Sequence, residues 1–85
     1  MTDFVKAPRL SNNGTSPEVL VNGFEDAAMA MLDAIQKMRR TAPHARDYAD
    51  GLDFLVAQKQ HNDRMERAEK IMLEYGGITR QLLGQ

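Results

Sequence analysis

The stretch VNGFEDAAMAMLDAIQKM, residues 21–38, decides the fold of this chain. Apolar side chains recur in it at alternating spacings of three and four residues: Val21, Phe24, Ala28, Met31, Ile35 and Met38. Because three or four residues make about one turn of an α-helix, this spacing places those side chains along one face of a helix. The stretch therefore predicts a helix whose apolar face requires a partner surface.

The first helix is predicted over residues 17–40. Ser16 can act as its N-cap, Pro17 suits the first helical position, and Glu18 lies near the positive end of the helix dipole. Pro43 disfavours continuation of this helix, because proline lacks a backbone N–H and restricts the residue before it. The short connection that follows favours an antiparallel second helix.

A second helix is predicted over residues 43–75, because residues 52–75 contain neither glycine nor proline. The Gly76-Gly77 pair is predicted to end this helix in a left-handed cap. At ~100° per residue, its apolar side chains fall on two nearly opposite sides. One side holds Ala45, Tyr48, Leu52, Leu55 and Val56, and the other holds Phe54, Met65, Ala68 and Met72. These two sides cannot both face one flat partner.

Two all-α folds satisfy this pattern. In the favoured fold, residues 16–85 form a single domain, an antiparallel helical hairpin that oligomerisation completes, and residues 1–15 form a flexible arm. In the alternative, the polar residues 58–63 form a turn and the chain makes a three-helix bundle. The hairpin is favoured because glutamine, lysine and alanine are poor turn formers.

The two sides of the second helix predict two surfaces. The intrachain seam is predicted to contain Phe24, Met31, Ile35, Tyr48, Leu52 and Leu55. The outward, protein-interaction surface is predicted to contain Phe54, Met65, Met72, Ile78 and Leu82. Since methionine tolerates imperfect packing, a Met-rich face suits an adaptable contact with another protein. We therefore expect a protein partner and a homo-oligomer.

The residue patterns of common catalytic sites are missing from the sequence. It contains no cysteine, no glycine-rich phosphate loop and no Gly-x-Ser-x-Gly nucleophile motif, and the Glu-x-x-His spacing of helical di-metal sites is absent. His61 shares a side with Met65 and Met72, and we interpret it as the polar rim of that face. We expect no enzyme and no catalytic, cofactor-binding or metal site.

Charge and hydropathy restrict the partner and the location. Eleven lysine and arginine residues against 12 acidic residues give a formal net charge of −1, which argues against a nucleic-acid partner. No apolar run approaches the ~20 residues that cross a bilayer, and the first residues lack the apolar core of a signal peptide. We expect a cytoplasmic protein without membrane contact.

The expected function is that of a small non-enzymatic helical interaction module of the adaptor, inhibitor or small-chaperone type. An alternative is a structural subunit of a helical assembly, such as a small secretion rod or needle component or a virion component. A further alternative is a weak nucleic-acid-binding accessory protein. It would use one of two basic patches, either Lys37, Arg39, Arg40 and Arg46 or Lys59, Arg64, Arg67 and Lys70.

Overall fold

The computed structural model describes residues 5–85, which form two long helices and their connections. Helix α1 spans Pro17–Arg39, and helix α2 spans Gly51–Leu83. The connection between them holds a single turn of 3-10 helix, Ala45–Asp47. Helices α1 and α2 pack against each other, so the predicted all-α helical hairpin is confirmed.

Local hydrogen bonds explain where α1 begins and ends. Ser16 is its N-cap, and the Ser16 Oγ accepts a hydrogen bond from the Val19 backbone N–H at 3.3 Å. Pro17 occupies the first turn, where its missing N–H costs nothing. At the other end, the Thr41 hydroxyl donates to the Met38 carbonyl at 2.6 Å. The prediction of residues 17–40 is confirmed to within one residue.

Helix α2 begins at Gly51 and not at residue 43 as predicted. Asp50 is the N-cap, and its Oδ1 accepts a hydrogen bond from the Leu52 backbone N–H at 2.7 Å. Such a carboxylate cap fixes a helix start, because it binds a backbone donor that has no partner inside the helix. Residues 43–50 therefore belong to the connection rather than to α2.

The end of α2 also differs from the prediction, because the helix continues through Gly76 and Gly77 to Leu83. None of the described glycines has a positive φ, so the left-handed stop predicted at this pair does not form. Glycine permits such a stop but does not require it. Ile78 and Leu82, which follow the pair, are buried in the hairpin, and burying them favours continuation of the helix.

The middle of α2 excludes the alternative fold. Residues 58–63 lie within the continuous helix and form no turn, so the chain does not make a three-helix bundle. The result is a rod of 60 × 24 × 16 Å. Its radius of gyration is 17.8 Å, whereas a compact chain of this length would have about 12 Å.

Part of the predicted flexible arm, residues 5–10, lies against the C-terminal end of α2. The Gln85 Nε2 donates to the Pro8 carbonyl at 2.8 Å, and the Gln85 Oε1 accepts from the Leu10 N–H at 2.9 Å. The Gln81 Nε2 donates to the Val5 carbonyl at 3.0 Å. These bonds bring the segment beside the helix end, while residues 1–4 of the predicted arm lie outside the described residues.

Candidate protein-interaction surface

The α1 side of the seam contains the residues that the sequence predicts. Ile35 is only 1% exposed, and Phe24 and Met31 are half-buried. The Phe24 ring lies against the Tyr75 ring of α2, with centroids 6.1 Å apart and planes tilted by 37°. This aromatic contact and the burial of Ile35 show that the apolar face of α1 packs on α2.

At the connection, Tyr48 contacts Phe54 of α2 with a centroid distance of 6.1 Å and a tilt of 53°. Tyr48 was predicted within the seam and is half-buried. Phe54, however, was predicted to face outward and is half-buried as well. Their contact places the Phe54 ring against the connection between the helices, and not on an outward face.

On α2, the packed and exposed sides are reversed relative to the prediction. Leu52 and Leu55, predicted in the seam, are 70% and 56% exposed. Of the residues predicted to face outward, Phe54, Met65 and Met72 are half-buried, and Ile78 and Leu82 are buried. Contrary to the prediction, Leu52 and Leu55 therefore lie outside the seam, and Ile78 and Leu82 lie inside the hairpin.

The lengths of the two apolar sides explain this reversal. The side that includes Phe54 continues through Met65, Ala68 and Met72 to Leu82, along most of α2. The other side loses Ala45 and Tyr48, because α2 begins only at Gly51. Covering α1 with the longer apolar side removes more apolar area from water, which favours the observed arrangement.

His61 belongs to the packed face and not to its rim as predicted, since only 6% of its surface is exposed. Thr79 is the other buried polar residue of α2, and its hydroxyl donates to the Tyr75 carbonyl at 3.0 Å. Among the described residues, no buried side-chain nitrogen or oxygen lacks a hydrogen-bond partner. The buried polar groups of the packed face therefore give no indication of a ligand site.

The opposite side of α2 forms the candidate interaction surface, which we call the outer face. Its apolar residues are Leu52, Leu55, Val56 and Leu73, exposed by 70%, 56%, 55% and 61%. Its charged residues are Lys59, Asp63, Glu66 and Lys70, which lie between the apolar ends. At ~100° per residue, these residues fall within an arc of about 100° on the helix. The outer face therefore has apolar ends and a charged middle.

The charges of the outer face are well solvated. Lys59 Nζ lies 3.2 Å from Asp63 Oδ2, and the two side chains are 77% and 52% exposed. On α1, Lys37 and Asp33 lie four residues apart and form a similar pair, with Nζ 3.0 Å from Oδ2. Exposed pairs of this kind contribute a few tenths of a kcal/mol to a helix. Their charges remain available to a molecule that docks on either helix.

The arm end of the hairpin holds two open depressions. One, of about 490 Å³, is lined by Val5, Phe24, Ile71, Glu74, Tyr75 and Ile78. The other, of about 690 Å³, lies between residues 6–10 and the end of α2. Within residues 5–85 no group of three or more His, Cys, Asp or Glu side chains could hold a metal ion. Neither depression gathers the residues of a recognisable catalytic site.

No described helix is both long enough and apolar enough to cross a membrane. Comparisons with known proteins identify no relative: no family model matches the chain, no curated protein matches it, and no solved structure matches it. The outer face of α2 is therefore the feature from which a function can be proposed.

Proposed function

We propose that this protein is a small non-enzymatic helical module that binds another protein through the outer face of α2. The supporting observation is the joint exposure of Leu52, Leu55 and Val56, each more than half exposed on two consecutive turns. Single exposed apolar residues are common on protein surfaces. Apolar residues at positions i, i+3 and i+4 on one exposed helix face are typical of helix-mediated recognition.

The proposed contact uses other residues than the Met-rich surface that the sequence suggests. Met65 and Met72 are half-buried in the hairpin, so less of their surface is available to a partner. Leucine and valine provide most of the apolar area on the outer face instead. An adaptor, an inhibitor and a small chaperone could each use such a face, and the proposed location is the cytoplasm.

A binding role also suits the shape of the molecule. The rod is only 16 Å across in its smallest dimension, which leaves little volume in which to enclose a substrate. The elongated shape favours a second candidate, a structural subunit of a helical assembly. Growth into particles larger than a closed oligomer, measured by light scattering, would distinguish a filament subunit from an adaptor.

A site-specific photo-crosslinker tests the proposal. Benzoylphenylalanine is placed at position 55 on the outer face or, as a matched control, at Met29 of α1, which is 60% exposed. In living cells we expect a protein adduct from position 55 and none from position 29. The additional substitutions Leu52→Gln and Val56→Thr should remove the adduct while the far-ultraviolet circular dichroism stays helical. Equal adducts from both positions, or none from position 55, would contradict the proposal.

A further inference from the structure

We infer that the outer face of α2 binds the same face of a second copy of this chain, with the two α2 helices antiparallel. This inference rests on the proposed function and names its partner. The contact would be isologous. Where residue i of one protomer contacts residue j of its partner, residue j of the first protomer contacts residue i of the partner.

The exposed area of one chain exceeds that of a compact monomer of the same mass. The protein exposes 6638 Å², whereas a compact monomer of its 9.6 kDa mass would expose about 5,100 Å². The surplus is about 1,500 Å². A stable interface buries about 800 Å² on each partner. A second copy on the outer face would thus remove about half of this surplus.

The spacing of the apolar ends fits a twofold arrangement. Leu52 and Leu73 lie three heptads apart on the outer face, about 32 Å along the helix axis. An antiparallel helix that places Leu52 beside the partner's Leu73 also places Leu73 beside the partner's Leu52. Leu52 and Leu73 thus cover one another at both ends, and Leu55 lies beside the partner's Lys70, whose aliphatic carbons can cover apolar surface.

The charged middle supports the same register. When Leu52 meets the partner's Leu73, Lys59 meets the partner's Glu66, and Glu66 meets the partner's Lys59 in return. Opposite charges favour association at these positions. A parallel pair in register would instead place Lys59 beside the partner's Lys59 and Glu66 beside the partner's Glu66. The distribution of charge therefore selects the antiparallel dimer.

A charge-swap experiment on the full chain tests the register. Sedimentation velocity over a concentration series gives the dimer dissociation constant of the wild type, Lys59→Glu, Glu66→Lys and the double variant. Each single substitution creates two like-charge contacts by symmetry, and we expect it to weaken the dimer by about tenfold or more. The double variant should restore affinity to within about threefold of the wild type, because both contacts regain opposite charges.

Lys37→Glu on α1 is the matched control. It makes the same charge change and breaks a similar exposed ion pair with Asp33, but it lies outside the outer face. The control should leave the dissociation constant unchanged. Circular dichroism of every variant shows whether the helices are intact.

Three results would overturn the inference: a wild type that stays monomeric, single variants that associate like the wild type, or a double variant that is not restored. The crosslinker at position 55 separates this failure from failure of the proposed function. If the chain is monomeric and the adduct contains a different protein, the inference of a dimer is wrong and the proposed function stands. If the chain is monomeric and no adduct forms, the dimer and the proposed function are both wrong.

Discussion

Phe24 of α1 and Tyr75 of α2 lie ring against ring near the arm end of the hairpin, with centroids 6.1 Å apart. Each side chain is half-buried, and their contact joins the first half of α1 to the second half of α2. Aromatic pairs at such distances contribute about 0.5–1.5 kcal/mol beyond the area they bury. The register of the hairpin therefore depends in part on this one contact.

A double-mutant cycle measures that contact. Phe24→Ala should lower the free energy of unfolding by roughly 2 kcal/mol, less than the full core value because the ring is half-buried. Combined with Tyr75→Ala, it should show a coupling energy of about 1 kcal/mol in urea unfolding. Phe24→Ala with Tyr48→Ala, a residue in a different aromatic pair, serves as the control and should be additive. Additivity of Phe24 and Tyr75 would contradict the contact.

Ile35 and Leu52 test which residues hold the two helices together. Ile35→Ala should cost about 2–5 kcal/mol of folding free energy, because the side chain is 1% exposed and leaves a cavity. Leu52→Ala, at a position 70% exposed, should change it by less than about 0.5 kcal/mol. Both are measured by urea unfolding at concentrations low enough for the chain to be monomeric. A large cost at Leu52 under these conditions would restore the seam predicted from sequence.

Gly76→Ala tests the continuity of α2 through its glycine pair. A Cβ at Gly76 would meet nothing within 4 Å, and φ is not positive there. Alanine should therefore raise the free energy of unfolding by about 1 kcal/mol, as its helix propensity predicts. Thermal unfolding measures the gain. If the pair were a left-handed stop, alanine would destabilise the protein instead.

Gly23→Ala and Gly14→Ala are the controls for that measurement. Gly23 lies within α1, and a Cβ there also meets nothing within 4 Å, so a similar gain is expected. Gly14 lies outside both helices, and its Cβ would come within 3.1 Å of the Ser11 Oγ. The helix-propensity gain should be absent at Gly14.

Gln85→Glu tests the docking of residues 5–10. The substitution removes the amide that donates to the Pro8 carbonyl at 2.8 Å and places a carboxylate beside that carbonyl. Loss of one hydrogen bond of about 1 kcal/mol should raise the rate of tryptic cleavage after Arg9 by about fivefold. Gln60→Glu, in the middle of α2, should leave the cleavage rate unchanged. An unchanged rate in Gln85→Glu would mean that this side chain does not hold the segment.

The limits of α1 could be predicted because their causes are local. Ser16 binds a backbone donor three residues away, and Pro17 directly follows it. The apolar spacing from Val21 to Met38 requires no knowledge of the partner helix. Signals that act within one turn are visible in the sequence, and here they agree with one another.

The packed side of α2 could not be predicted in the same way, because it depends on which side covers α1 more completely. The start of the helix at Gly51 removes Ala45 and Tyr48 from one side, and its continuation past Gly77 adds Ile78 and Leu82 to the other. Because the sequence misplaces both ends of α2, it assigns too much apolar area to the side that holds Leu52 and too little to the side that holds Met65. The sequence correctly indicated two sides, but not which one remains exposed.

The hairpin topology also sets an order of folding. The Tyr48–Phe54 contact closes a loop of a few residues, whereas the bond between Leu10 and Gln85 joins residues 75 positions apart. Loop-closure entropy makes the second contact costlier by about 2 kcal/mol when it must form from the open chain. We therefore expect the connection to form first, the two helices to pack progressively outward from it, and residues 5–10 to dock last. The same segment should be the first to open when the protein unfolds.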